Sequence, residues 1–244
     1  MSFQTKHKWF IETSIITEME AAVHAVSTLP AGMDSYPLCD YLIQSLMLRL
    51  TGFQEQKLRC ICWDIATFNY NYRHRLLNNE DKLGEYSNIT AKSAIYTTLV
   101  RLIAELDEEK SHTVDFYINK KEIVVSCKGE VIELFDKSLF SQWLYRDYCS
   151  IKSDNCLFKP EHFANKGLLE SCLRVVYDEL YQQRNRLAHN AYSYQENLPS
   201  LRTLCNQDSQ HHNYFTWFVL LNLIDKIFTD LYFVYFKFLS NNQY

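Results

Sequence analysis

Ser171-Cys172-Leu173-Arg174-Val175-Val176-Tyr177-Asp178-Glu179-Leu180-Tyr181-Gln182-Gln183-Arg184-Asn185-Arg186-Leu187-Ala188-His189 is the stretch whose periodicity decides the fold. At about 100° per residue, Leu173, Val176, Leu180 and Leu187 join Leu169 on one stripe, with Cys172 and Ala188 on its flanks, the pattern of a helix with one face on a core. The helix is expected to run from Glu161 to about Ala188. Arg184 falls inside the apolar stripe, whereas Asp178, Gln182, Asn185 and His189 fall on the opposite one. On a straight helix Arg184 and His189 would point about 140° apart, too far round the axis to share one phosphate. Two routes bring them together: a break or bend around Leu187 to Asn190, or a second copy of the chain facing the first across a two-fold axis.

Composition agrees with helices. The 244 residues include only 5 Gly and 4 Pro against 17 Tyr and 15 Phe, so turns are scarce and bulky segments long. An apolar content of 47% supplies a real core and argues against disorder. The formal charge of −4 excludes a bulk polyanion binder, so any nucleic-acid contact has to come from local basic residues. The 8 cysteines are scattered with no Cys-x-x-Cys pair, which reads as reduced, mostly buried thiols rather than a zinc or redox site. No secretory signal is legible at Met1 to Phe10, and a cytoplasmic location is expected. Asn88-Ile89-Thr90 fits a glycosylation sequon and reads as a chance match in that setting.

Further helices are expected over Lys8 to Ser27, Tyr36 to Leu50, Gln54 to Leu77 and Ile89 to Leu106, with a breaker cluster around Pro30, Gly32 and Pro37. The third ends in Tyr70-Asn71-Tyr72-Arg73-His74-Arg75. Aromatics interleaved with cations suit stacked bases and phosphates, making Arg73, His74 and Arg75 candidate RNA contacts; cations favoured by a helix C-terminus are the plain alternative. From Val114 to Val125 the period changes to alternation across Asn119-Lys120-Lys121-Glu122, and a β-hairpin is expected, with a third strand over Val131 to Phe135. The fold class is therefore mainly α, a helical bundle with a small antiparallel β-hairpin or meander around residues 113–135. Residues 1–150 form an N-terminal helical region and 151–244 a second one, possible parts of a single packed unit.

Tyr214 to Leu239 is the most hydrophobic segment, with ten aromatics and length enough to cross a bilayer. Asp225, Lys226 and Asp230 near its middle argue against a span. A helix buried nearly all round is expected, with its aromatic surplus forming a dimer interface.

Arg184-Asn185, three residues and then His189, placed at a helix end ahead of a loop and a last apolar helix, resembles the R-x4-6-H signature of the HEPN superfamily. Asn185 matches the polar residue that commonly follows the arginine there. The resemblance covers the motif and Glu161 to Leu239, and leaves residues 1–150 outside it. It implies an all-helical, usually dimeric bundle, many of whose members are metal-independent endoribonucleases in toxin–antitoxin, phage-defence and CRISPR-associated systems. Some members carry a modifiable Tyr two residues beyond the His; here Ala191 fills that position and Tyr192 follows it.

The pair supports a definite chemistry. An imidazole removes the proton of a 2′-hydroxyl, which attacks the adjacent phosphorus, and a protonated group serves the departing 5′-oxygen, leaving 2′,3′-cyclic phosphate and 5′-hydroxyl ends. Arg184 would stabilise the phosphoryl charge, His189 would move protons and Asn185 would orient the imidazole or a phosphate oxygen. Asp178 and Glu179 are candidates to hold Arg184 or Arg186. A dimer would supply two copies of each group to a composite site. The expected partners are an RNA substrate, a second copy of the chain and an inhibitory or regulatory protein, with no cofactor, no metal and no membrane. The alternative is a catalytically silent helical module binding a nucleotide or a protein, with Arg184 a cation snorkelling from the core edge and His189 a helix-terminal histidine.

Overall fold

The computed structural model describes residues 6–77, 86–107, 117–153, 157–163, 167–189 and 213–241, with the backbone alone at His162 and His189. In chain order the helices are α1 (Lys8–Glu12), α2 (Ile16–Ser27), α3 (Tyr36–Phe68), α4 (Tyr70–Leu77), α5 (Ile89–Leu106), α6 (Lys120–Phe135), α7 (Leu139–Trp143), α8 (Tyr145–Lys152), α9 (Ser171–His189) and α10 (Tyr214–Asn241), with single 3-10 turns at Met33–Ser35 and Pro160–Phe163. No strand occurs among the described residues.

The expected hairpin is replaced by α6. Val114 and Phe116 of its first strand lie outside the described residues and Ile118 is in no strand, while Asn119-Lys120-Lys121-Glu122, read as a hairpin turn, is the start of a helix whose Asn119 side chain accepts from the backbone N–H of Glu122. The local alternation is real, yet Ile123, Cys127, Val131 and Phe135 also recur at helical spacing, and all four are buried. That longer-range stripe packs on α10 and decides the outcome over the β-preference of Ile and Val.

Other boundaries moved for local reasons. The expected helices at Tyr36 to Leu50 and Gln54 to Leu77 fuse into α3, because Cys39, Ile43, Leu46, Leu50, Leu58, Ile61 and Ile65 keep one face continuously buried through the exposed Gly52. The chain breaks instead at Asn69, which is extended and whose Oδ1 caps α4 by accepting from Tyr72 N–H at 2.9 Å. Lys8 to Ser27 splits at Thr13–Ile15, where the Ser14 Oγ accepts from Ile16 N–H at 3.2 Å. The sequon-like Asn88 is a helix cap: its Oδ1 accepts from Ala91 N–H at 2.7 Å and starts α5. Among the described residues of Glu161 to Ala188, the α-helix begins at Ser171, and Glu161 to Phe163 belong to the 3-10 turn.

The last helix is the hub. Residues 217–225 are all buried, and α10 packs against α3, α5, α6, α8 and α9. Its aromatics are absorbed within the chain: Phe218 stacks on Phe135 at 5.5 Å between centroids, Phe215 meets Phe135 edge-on at 5.3 Å, and Phe236 meets Phe68 at 5.5 Å. The surplus that predicted a dimer interface is thus covered by the chain's own helices, with Phe233 its only aromatic counted among the large exposed side chains. Among the described residues no helix is long and apolar enough to cross a membrane.

Three buried polar links tie α10 to α3. Gln54 Nε2 donates to the Leu221 carbonyl at 2.9 Å, Lys57 Nζ to Asp225 Oδ2 at 2.8 Å, and the Tyr232 hydroxyl to Asp64 Oδ2 at 3.0 Å. Both sets of numbers rise together, so the two helices run parallel. The middle link also gathers the α1–α2 turn, since Lys57 donates to the Thr13 carbonyl at 2.7 Å and Ile15 N–H donates to Asp225 Oδ2 at 3.3 Å. Burial pushes the Lys57 ammonium down and the Asp225 carboxyl up from their ordinary values, and their mutual attraction opposes both shifts.

Removing one partner strands the other as a buried charge. Lys57→Met and Asp225→Leu should each cost about 3–5 kcal/mol in urea denaturation, whereas the Lys57→Met/Asp225→Leu double variant should recover most of the loss. A double variant no more stable than either single one would contradict this account of the pair.

Candidate functional site

The motif lies on a continuous helix. α9 keeps helical backbone from Ser171 to His189, so no break separates Arg184 from His189, and that path carries the two positions about 140° apart around the axis. The expected bend could begin only at Asn190, which lies outside the described residues along with Ala191 and Tyr192; so does the His189 side chain.

Arg184 is held from two sides. Its Nη2 lies 3.3 Å from Glu55 Oε1 of α3, and its Nη1 donates to Asn185 Oδ1 at 3.0 Å. The side chains of Arg184 and Glu55 are 26% and 23% exposed, which places the pair at the rim of the core and open to solvent. The carboxylate on Arg184 therefore comes from a helix 129 residues away in sequence, rather than from Asp178, which is exposed, or Glu179, which is half-buried. Asn185 turns its oxygen to the guanidinium, and Arg186 is exposed.

Beneath the pair lies a charge that the motif does not announce. Lys92 of α5 is fully buried, and its Nζ finds no hydrogen-bond acceptor among the described residues. The ammonium sits 5.8 Å from the centre of the Tyr177 ring. Burial pulls its pKa down to about 7; the carboxylates of Glu55 and Asp225 oppose that shift, and Arg184 reinforces it. Tyr177 donates its hydroxyl to the Ser87 carbonyl at 2.6 Å, and desolvation followed by the Glu55 charge holds that phenol well above its ordinary value. Glu55 thus faces Arg184 and also exerts the larger carboxylate field on Lys92, ahead of Asp225.

The basic knot is separate from this cluster in the chain. Arg73 and His74 are exposed and Arg75 is half-buried on α4, which packs on α3. The Arg73 guanidinium lies 5.4 Å from the Tyr70 ring and the His74 ring 6.3 Å from it, so the expected interleaving of cations and aromatics is formed locally. Among the described residues no group of His, Cys, Asp or Glu is placed to hold a metal ion. Cys39, Cys60, Cys62 and Cys127 are buried and in no disulfide, and Cys172 is exposed.

Sequence reasoning about the motif missed Glu55 and Lys92. Lys92 follows Ile89 by three residues and precedes Tyr96 and Leu99 on the buried face of α5, so a charge in an apolar register was the available signal. Glu55 carries no such mark, because a carboxylate at a helix edge is ordinary. Compared with known protein families, curated proteins and solved structures, the chain matches none.

Lys92 makes folding respond to alkali. The unfolded chain keeps this amine protonated to near 10.5, while the folded chain releases the proton at about 7, so the unfolded state binds more protons in between and stability should rise with pH over that window. Urea denaturation between about pH 7 and pH 9.5 should show a clearly smaller rise in Lys92→Met than in the unaltered chain. Equal slopes would show that the amine keeps its ordinary affinity for protons.

Proposed function

We propose that the chain is a metal-independent endoribonuclease of HEPN type, with Arg184 as the phosphate-holding cation, His189 as the proton carrier and Asn185 in support. The observation that carries this reading is the fixation of Arg184, a partly exposed guanidinium aligned by Glu55 and Asn185 rather than left to sample solvent. A cation held in advance loses little entropy when a phosphoryl oxygen arrives, and it stabilises the charge that builds during 2′-hydroxyl attack. One Arg184 nitrogen contact to Asn185 and one to Glu55 leave further guanidinium N–H groups for a phosphate.

The helical path through the motif favours a composite site. With the two positions on different sides of one helix, the arginine of one protomer and the histidine of its partner are the natural pair, so a homodimer is part of this proposal. The basic knot at Arg73, His74 and Arg75 would extend the contact along the RNA strand. An activity of this kind suits a toxin or phage-defence effector in the cytoplasm, held in check by a regulatory partner protein.

A second reading has its own observation. Glu55 already neutralises Arg184, as a structural clip between α3 and α9 would, and this favours a catalytically silent module binding a nucleotide or a protein.

Purified protein incubated with total RNA or tRNA in EDTA separates the two. Cleavage leaving 2′,3′-cyclic phosphate ends, lowered about 10²–10⁴-fold in His189→Ala and strongly in Arg184→Ala, supports the ribonuclease. Absence of cleavage, or cleavage indifferent to both substitutions, leaves the binding module. Mixing the two inactive variants should restore part of the activity if each site draws its arginine and histidine from different protomers, and no recovery would overturn the composite arrangement.

A further inference from the structure

The chain carries a net charge of −4, yet the elbow where α3 passes into α4 has the opposite sign. Between Gln56 and Leu77 stand Lys57, Arg59, Arg73 and Arg75 against Asp64 alone, and Asp64 is buried in its contacts with His7 and Tyr232. Every exposed side chain of this stretch is neutral or cationic. Two carboxylates on neighbouring helices have cations of their own: Glu12 of α1 lies 3.7 Å from Lys8, and Glu105 of α5, whose field reaches Tyr235 beside Asn69, lies 3.6 Å from Arg101.

The outside of the elbow is also aromatic. Arg59 and Trp63 are four residues apart, which sets them about 40° apart on one face of α3. Trp63 is 66% exposed, and Arg59 is exposed with its guanidinium 5.7 Å from the ring of the buried Tyr86. Beyond the break at Asn69, Tyr70, Arg73, His74 and Leu77 recur at the spacing of one helical face and are all exposed, while Tyr72 and Leu76 are buried. Tyr70 is 68% exposed, with the Arg73 guanidinium 5.4 Å from its ring. A tryptophan and a tyrosine left this open forgo most of the stabilisation that burial gives rings of their size.

We propose that this elbow is a platform for single-stranded RNA, with Trp63 and Tyr70 each stacking a base and Arg59 and Arg73 each pairing a phosphate. An open ring with an arginine within one helical turn occurs on both sides of Asn69, and each nucleotide of a single strand offers one π-face and one charge. A single strand turns at every phosphodiester and can follow the bend, whereas a duplex hides its base faces in its own stack. An acidic protein segment would use the two arginines and gain little from the two rings. Stacking is tolerant of base identity, so the platform selects for single-strandedness rather than for a sequence. The inference rests on the ribonuclease reading only in making the bound strand a substrate, since neither Arg184 nor His189 belongs to the elbow.

Fluorescence anisotropy of a labelled 2′-O-methyl oligouridine of about 12 nucleotides tests it, because that strand has no free 2′-hydroxyl to attack and is not consumed. In about 50 mM NaCl the full chain should bind it saturably with Kd below about 100 μM. Trp63→Ala and Tyr70→Ala should each weaken binding about tenfold, and the Arg59→Gln/Arg73→Gln variant should reduce the slope of log Kd against log salt by about 1.4. Arg49→Gln, on α3 but paired with Glu18, should change neither quantity. The replaced side chains are all exposed, and melting temperatures check each variant. The platform is overturned by absence of saturable binding, by affinity unchanged in either aromatic variant, by a slope unchanged in the arginine variant, or by a duplex of the same length binding at least as tightly. Poly-glutamate of equal charge competing as well as the unlabelled strand would overturn it in favour of an acidic protein partner. Binding of this kind by a chain that cuts no RNA sinks the ribonuclease reading alone, and cleavage by a chain whose elbow fails these tests sinks the platform alone.

Discussion

The buried contact between Lys57 and Asp225 is the constraint around which the molecule is arranged. α10 is apolar enough to be the centre of the bundle, but it carries a carboxylate in the middle of its most enclosed stretch. An ionised carboxylate left there without a cation would cost about 3–5 kcal/mol, a large share of the stability of a typical domain. Lys57 meets that need from α3, and the same ammonium and carboxylate collect the Thr13 carbonyl and the Ile15 N–H. One ion pair thereby fixes three segments. Buried pairs of this kind give little net stability, so its value here is in specifying register.

The register argument extends along the whole interface. Gln54, Lys57 and Asp64 on α3 meet Leu221, Asp225 and Tyr232 on α10 in matched order. A slip by one turn would strand each of these groups without its partner, whereas the aromatic contacts around Phe135 and Phe218 would tolerate many small shifts. Hydrophobic burial makes α10 the core, and polar links decide how it sits there.

The Arg184 cluster applies similar physics at the rim. Glu55 is held by α3, Arg184 by α9 and Lys92 by α5, so the relative placement of three helices sets one electrostatic environment. Lowering the charge on Lys92 also lessens its repulsion of the Arg184 guanidinium. The motif at the end of α9 is therefore supported by residues that lie far from it in the chain and close to it in space.

Helix content, the one-sided burial of α9, the all-round burial of α10 and the start of α5 were legible in the sequence, because each depends on periodicity or capping within a dozen residues. So was the angular mismatch between Arg184 and His189, which needs only the helical repeat. Residues 120–135 were misread because a short β-like alternation and a longer helical stripe coexist there, and only the presence of α10 selects the stripe. The fusion through Gly52 was likewise decided by the continuously buried face of α3. The partner of Asp225 and the carboxylate on Arg184 could not be read from the chain at all. They are joined across 168 and 129 residues, distances over which local pattern carries no information and only the closed tertiary structure selects the pair.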